Sequence, residues 1–341
     1  MHKLAVGLLA LLAVGCSDAT RDASATGETD MLPSWNDTPT KTAIVDFVDR
    51  VTNRDSADYV LPSDRIAVFD NDGTLWSEKP VYFQFLFAID RAQERSEENP
   101  GWASTPALEA AARGDLAAIE KGGVPALLEI ATATHSGVTL TDFARETTQW
   151  IETATHPQKG RRYRDMTYVP MRELLDYLRA NGFKVFIVSG GGIDFMRTFA
   201  EEAYGVPSEN VIGTYGDAEY RVVDGKGQIM KSPKIAFLDD KAAKPIAIAR
   251  HIGKRPIFVG GNSDGDFEMA EWATTGESPS LAVLVHHTDG EREFAYDRES
   301  LIGALDRGLD EASGRGWVLV DMARDWKAVW PENSGTQSAP R

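Results

Sequence analysis

Arg65-Ile66-Ala67-Val68-Phe69-Asp70-Asn71-Asp72-Gly73-Thr74-Leu75 is the stretch on which the reading of this chain turns. Its run from Ile66 to Phe69 is apolar without alternation and rich in branched and aromatic residues, which fits a strand buried on both faces. The run stops at Asp70, and Gly73 then opens a turn. Two carboxylates at i and i+2 around such a turn can face one pocket and divide roles. One then acts as a nucleophile and the other as a general acid and base. Paired Asp residues are also common at strand ends of any α/β protein, so the pair decides nothing alone.

Similar apolar runs recur at 184–189, 211–215, 256–260 and 281–285. Helical patterns lie between several of them, such as Met171 to Ala180, with Asn181-Gly182 as its C-terminal cap. Strands alternating with helices predict an α/β fold with a doubly wound, mainly parallel sheet covered on both faces. Lys41 to Arg54 has the apolar spacing of an amphipathic helix packed on that body. Tyr220 to Met230, with Asp224-Gly225-Lys226-Gly227 between apolar flanks, reads as a β-hairpin.

No strand pattern is found from Pro80 to about Arg164. That stretch, rich in Ala, Leu, Glu and Arg, reads as an α-helical cap inserted after the first core strand. Ligands in open α/β sheets bind beyond the carboxyl ends of the strands, so the insertion is placed to act as a lid. The expected organisation is a core at 39–79 and 165–330, a cap at 80–164 and a frayed tail at 331–341.

The N-terminus reads differently. His2 and Lys3 precede an apolar run, Leu4 to Leu12, too short to span a bilayer. Ala13-Val14-Gly15 leads into Cys16, the only cysteine among 341 residues. This resembles the lipobox of bacterial lipoproteins, with Ala13 where Leu is usual. The resemblance implies a signal peptide at 1–15, lipidation of Cys16 and a flexible tether at 16–38. It further implies an extracytoplasmic, lipid-anchored location at the cell envelope, on the periplasmic side of the outer membrane in a Gram-negative cell. With one cysteine there is no disulfide.

Net charge is −16 without a basic run, which argues against nucleic acid as a partner. The same charge repels anionic substrates at long range, so a phosphate site needs local positive charge or a metal. No protein partner is implied.

In order and context, residues 65–286 resemble the haloacid dehalogenase superfamily, with its Rossmann-like core. The helical insertion resembles the caps of its phosphoserine-phosphatase-like branch. Val68 to Leu75 resembles the first motif, DxDGT. Ser189-Gly190-Gly191, ending an apolar strand, resembles the second. The third is a lysine ahead of the fourth strand. Lys234, Lys241 and Lys244 are the candidates, and Lys244-Pro245 opens the helix at the family position. Gly260-Gly261-Asn262-Ser263-Asp264-Gly265-Asp266 resembles the fourth, usually GDxxxD, with Asn262 in the first acidic position and Asp266 in the second.

The resemblance implies Asp70 as nucleophile, Asp72 as acid and base, and Ser189 and Lys244 completing the catalytic set. Gly73, Thr74, Ser189, Gly190 and Lys244 would hold the phosphoryl group. Mg²⁺ would lie between Asp70, the backbone carbonyl of Asp72, and Asn262 with Asp266 or Asp264. An Asn carbonyl is a hard oxygen but lacks the charge of an acid.

The implied activity is hydrolysis of a small phosphomonoester, phosphoserine-like or of broad specificity, through an aspartyl-phosphate. Asp72 favours phosphoryl chemistry over dehalogenation, whose halide leaving group needs no proton. A phosphomutase would share these motifs. A non-catalytic envelope lipoprotein retaining the fold would account for Asn262. Trp76, Tyr82, Phe83 and Trp102 either line a substrate pocket or pack helices. Arg161, Arg162 and Arg164 read as solvated, and His286-His287 as structural.

Overall fold

The computed structural model describes residues 30–332. Cys16, the signal segment, most of the tether and most of the tail lie outside them. Seven strands form one sheet in the order β4-β3-β2-β1-β5-β6-β7. They are β1 Ile66–Phe69, β2 Lys184–Gly192, β3 Val211–Val223, β4 Lys226–Phe237, β5 Phe258–Gly261, β6 Leu281–His286 and β7 Val318–Asp321. All neighbours run parallel except β3 and β4, which pair antiparallel.

The helices are α1 Pro39–Thr52, α2 Phe83–Glu98, α3 Pro106–Ala112, α4 Leu116–His135, α5 Leu140–Thr153 and α6 Val169–Ala180. After β2 come α7 Ile193–Met196, α8 Ala200–Tyr204, α9 Ala243–His251, α10 Phe267–Thr274, α11 Arg307–Glu311 and α12 Met322–Asp325. Side chains of β1 alternate between two cores. Ala67 and Phe69 join the cluster that includes residues of α1, α2 and α6, while Ile66 and Val68 join that of α9 and α10. Burial on both faces is why this strand carries no polar alternation.

Four helices, α2 to α5, lie between β1 and α6. Asp115 and Thr139 cap α4 and α5 with their side chains, and α4 kinks at Gly123, whose φ is +64°. The turn between α4 and α5 is bonded to the hairpin, where the Gly137 amide donates to Lys231 O at 2.9 Å and the Lys231 amide to Val138 O at 2.9 Å.

Three sequence expectations change. The strand at 211–215 and the hairpin at 220–230 are one structure, because β3 runs on past Tyr215 into the turn at Asp224-Gly225, where both residues have positive φ. Strand β7 is an addition; its apolar stretch, Val318 to Val320, is too short to stand out. The packed body also begins before residue 39. Leu32 and Trp35 are buried, and Trp35 Nε1 donates to Pro170 O at 2.8 Å, with its ring edge-on to Trp326.

Candidate active site

At the end of β1 the Asp70 amide donates to Gly260 O of β5 at 2.9 Å, which holds the nucleophile candidate at the carboxyl edge of the sheet. The chain then turns. Leu75 N donates to Asn71 O at 2.8 Å, and Gly73, at φ +73°, donates to Trp76 O at 2.9 Å. Trp76 Nε1 donates to Asp72 Oδ1 at 2.8 Å, so the second oxygen of Asp72 is the one left for chemistry. A Cβ on Gly191 would lie 3.2 Å from that Oδ2 and 3.5 Å from Ser189 Oγ. Gly191 therefore keeps open the gap between Asp72 and Ser189. Ser189 is buried, and its hydroxyl accepts from the Gly191 amide at 3.1 Å.

Lys244 is buried on α9 and donates to Asp70 Oδ1 at 2.8 Å and to Asp266 Oδ1 at 2.6 Å. Asp266 Oδ2 accepts from the amides of Asn262, at 3.0 Å, and Ser263, at 3.1 Å. Both oxygens of Asp266 are thus engaged by the protein, and it serves here as the anchor that aims Lys244 at Asp70. Asp264 is taken too, accepting from the amides of Asp306, Arg307 and Gly308 at the start of α11. Of the other candidate lysines, Lys234 pairs with Asp217 at 2.9 Å on the surface and Lys241 is exposed.

Burial works to discharge Lys244, but the Asp266 and Asp70 carboxylates overcome it and hold the ammonium above its ordinary range. Burial likewise pushes the Asp70 carboxyl up, opposed by Lys244. Asp72 is raised from 3.8 to about 6 by burial, opposed by the hydrogen bonds from Trp76 and Asn71.

Glu78, Tyr296 and Asp239 at this edge escaped the sequence reading, whereas Asn262 and His287 did not. Glu78, 1% exposed, accepts from Asn262 Nδ2 at 2.9 Å and from the Tyr296 hydroxyl at 2.6 Å. Burial raises its carboxyl from 4.5 to about 7. Asn262 Oδ1 accepts from the Thr74 hydroxyl at 3.1 Å. His287 Nε2 donates to Gly73 O at 2.8 Å, and its ring stacks on Tyr296, so His287 braces the turn from behind. Asp239, fully buried, is raised to about 6 by burial, and neither of its oxygens has a hydrogen-bond partner among the described residues. The only sequence signals were an acid four residues past Thr74 and an Asp-Asp pair before α9.

The aromatic candidates divide. Trp76 is buried, stacks on Phe199 and touches Asp72. Tyr82 sits half-buried beside the charges of Glu78, Asp72 and Asp70. Phe83 is core, packed on Tyr163, and Trp102 lies against Arg95. The arginines are spent elsewhere. Arg161 donates to Pro331 O, Arg162 pairs with Asp165 and Arg164 pairs with Glu202.

Mg²⁺ suits this donor set. Asp70, Glu78, Asp239 and Asp266 are all buried, and Lys244 is the one buried lysine among the described residues. Such an excess of buried carboxyls favours a cation. No three His, Cys, Asp or Glu side chains converge among the described residues. The available oxygens are of mixed kind, namely the Asp70 carboxylate, the Asp72 carbonyl and the Asn262 amide, all hard donors.

The sequence model of the haloacid dehalogenase-like hydrolases matches residues 67–271. The chain belongs to that family. No curated protein matches it. Among solved structures, a conserved functionally unknown protein from Anaerococcus prevotii is similar at TM-score 0.53 and 16% identity, covering 82% of this chain and 91% of that one. A protein of unknown function from Bordetella pertussis gives 0.49 and 18%, over 76% and 99%. A phosphoserine phosphohydrolase-like protein from Francisella tularensis gives 0.37 and 16%, over 73% and 98%. The first of these likenesses supports the fold alone.

Proposed function

We propose that the chain is a Mg²⁺-dependent phosphomonoesterase acting on a small phosphorylated metabolite. The observation that carries this is the Asp70–Lys244–Asp266 chain of contacts with Asp72 beside it, facing Ser189 across the gap at Gly191. Asp70 attacks phosphorus to give an aspartyl-phosphate, and the P–O bond to the leaving group breaks. Asp72, whose carboxyl is raised to about 6, gives the leaving oxygen its proton. The same carboxylate then takes a proton from the water that hydrolyses the aspartyl-phosphate. Ser189 and the backbone at Gly190 and Thr74 orient the phosphoryl oxygens, and Lys244 offsets their charge. Bound between Asp70, the Asp72 carbonyl and Asn262, Mg²⁺ would reduce the repulsion between phosphate and carboxylate.

Turnover of p-nitrophenyl phosphate and a panel of natural phosphomonoesters, with Mg²⁺ and with EDTA, tests the reading. Asp70→Asn is expected to abolish turnover while the circular dichroism stays native. Retained activity in that variant, or no metal-dependent turnover in the parent, overturns it. Envelope anchoring through Cys16 is proposed on the sequence alone. Metabolic labelling with a palmitate analogue should mark the parent and not Cys16→Ser; equal labelling of both would sink it.

A further inference from the structure

We propose that Glu78 is a positioning residue that completes the charge of the cation site through Asn262. An acid from the loop after β1 thereby replaces one that the turn after β5 lacks. This rests on the Mg²⁺-dependent reading above.

The amide of Asn262 is neutral and could present either its oxygen or its NH₂ group to Thr74. Glu78 decides which. Nδ2 donates to Glu78 Oε1 at 2.9 Å, while Oδ1 accepts from the Thr74 hydroxyl at 3.1 Å. A flipped amide would set its oxygen against the Glu78 carboxylate, two acceptors facing each other. The carboxylate therefore fixes the carbonyl oxygen toward the Asp70–Thr74 turn. That oxygen has two lone pairs, one for Thr74 and one for a hard cation. A carboxylate behind a neutral ligand also makes that ligand a better donor, as it does for metal-bound imidazole.

The place for Glu78 is built into the backbone at two distant points. Gly73 and Gly303 both have positive φ, +73° and +63°, and a Cβ on either would collide with Glu78 Oε1. A Cβ on Gly73 would also strike Asn262 Nδ2. The hydrogen bonds to Glu78 come from neutral groups, Asn262 and Tyr296. Its sequence neighbour Lys79 gives its hydrogen bonds to Ser300 and Ile302 O with its ammonium over the Tyr296 ring, so Lys79 and His287 act on Glu78 only through space. A carboxylate buried among neutral donors is costly unless a cation shares its surroundings.

Calorimetric titration of Mg²⁺ into the EDTA-treated full chain tests this without reference to activity. Glu78→Gln keeps the shape and the acceptor but removes the charge, and should weaken Mg²⁺ binding about tenfold or more. Asn262→Asp alone should tighten binding by less than about threefold, because the new acid faces Glu78. The double variant, with the charge moved rather than lost, should return to within about threefold of the parent. Glu78→Gln within about twofold of the parent would overturn the proposal, as would about tenfold tightening by Asn262→Asp alone. Should Glu78→Gln fail to fold, Asn262→Asp and the double variant decide by the same limits. A parent that binds no Mg²⁺ overturns the metal reading itself. A parent that binds it, with Glu78→Gln unmoved, overturns only the role of Glu78.

Discussion

The two flanks of the site treat their buried acids in opposite ways. On the α9 flank Asp70 and Asp266 share the Lys244 ammonium, and Asp266 is further satisfied by two backbone amides. On the flank of the loop after β1, Glu78 receives only an amide and a phenol. The first flank is a closed set whose geometry is fixed by its own charges. The second holds an acid whose hydrogen-bond donors are all neutral, and on the proposal above a cation completes it. A buried ion pair is expensive to break and a buried lone acid is expensive to keep ionised, so the flanks should respond differently to mutation and to pH.

Breaking the closed flank gives the largest expected effect. Lys244→Ala leaves Asp70 and Asp266 buried without their cation, and should cost about 3–5 kcal/mol in urea unfolding along with all turnover. A variant as stable as the parent would show that this flank is not held by its charges. Asp72→Asn comes next. It should slow alkyl phosphates by about 10²–10⁴-fold, and p-nitrophenyl phosphate less, because nitrophenolate leaves without a proton. Equal losses on both substrates would remove Asp72 from the proton-donor role.

Sharpening the contrast needs only pH. Asp72 and Glu78 have folded values raised to about 6 and about 7 from 3.8 and 4.5, so the folded metal-free chain holds protons that the unfolded chain has released. Their contribution is therefore full below about pH 4 and is lost as pH rises toward 7. At about 1.4 kcal/mol per pKa unit, Glu78 alone accounts for about 3 kcal/mol across that window. Buried His135, whose imidazole is lowered from 6.5 to about 3, acts in the opposite sense in every variant, so the measure is a difference. In EDTA the parent should lose stability relative to Glu78→Gln as pH rises from about 4 to 7, and Mg²⁺ should restore it. Parallel pH profiles in the parent and in Glu78→Gln would mean that Glu78 is not the surplus acid.

Much of the fold was legible because buried strands write themselves as unbroken apolar runs. Ile66 to Phe69 and Leu281 to Val285 are read directly, and the turn at Asp224-Gly225 announces its hairpin. The edge strand Val318–Asp321 was not, since a short run at a sheet edge has little to distinguish it. Lys244 was separable from Lys234 and Lys241 by its place ahead of β5 and at the head of a helix. Glu78 was not separable from any other surface-type Glu-Lys-Pro sequence. Nothing local says that Gly303, 225 positions away (303 − 78), leaves room for its carboxylate.

What the sequence determined by itself was the segment Asp70-Asn71-Asp72-Gly73-Thr74 at the end of an apolar strand, and with it the class of fold and chemistry. Strand burial and turn formation are local properties, written in neighbouring residues. Only the tertiary structure decided how the acids are shared. It turned Asp266 and Asp264 into internal anchors, gave Asp72 its tryptophan partner, and set Glu78 behind Asn262. Charge balance in a buried site depends on distances between segments far apart in the chain, and a sequence does not contain those distances.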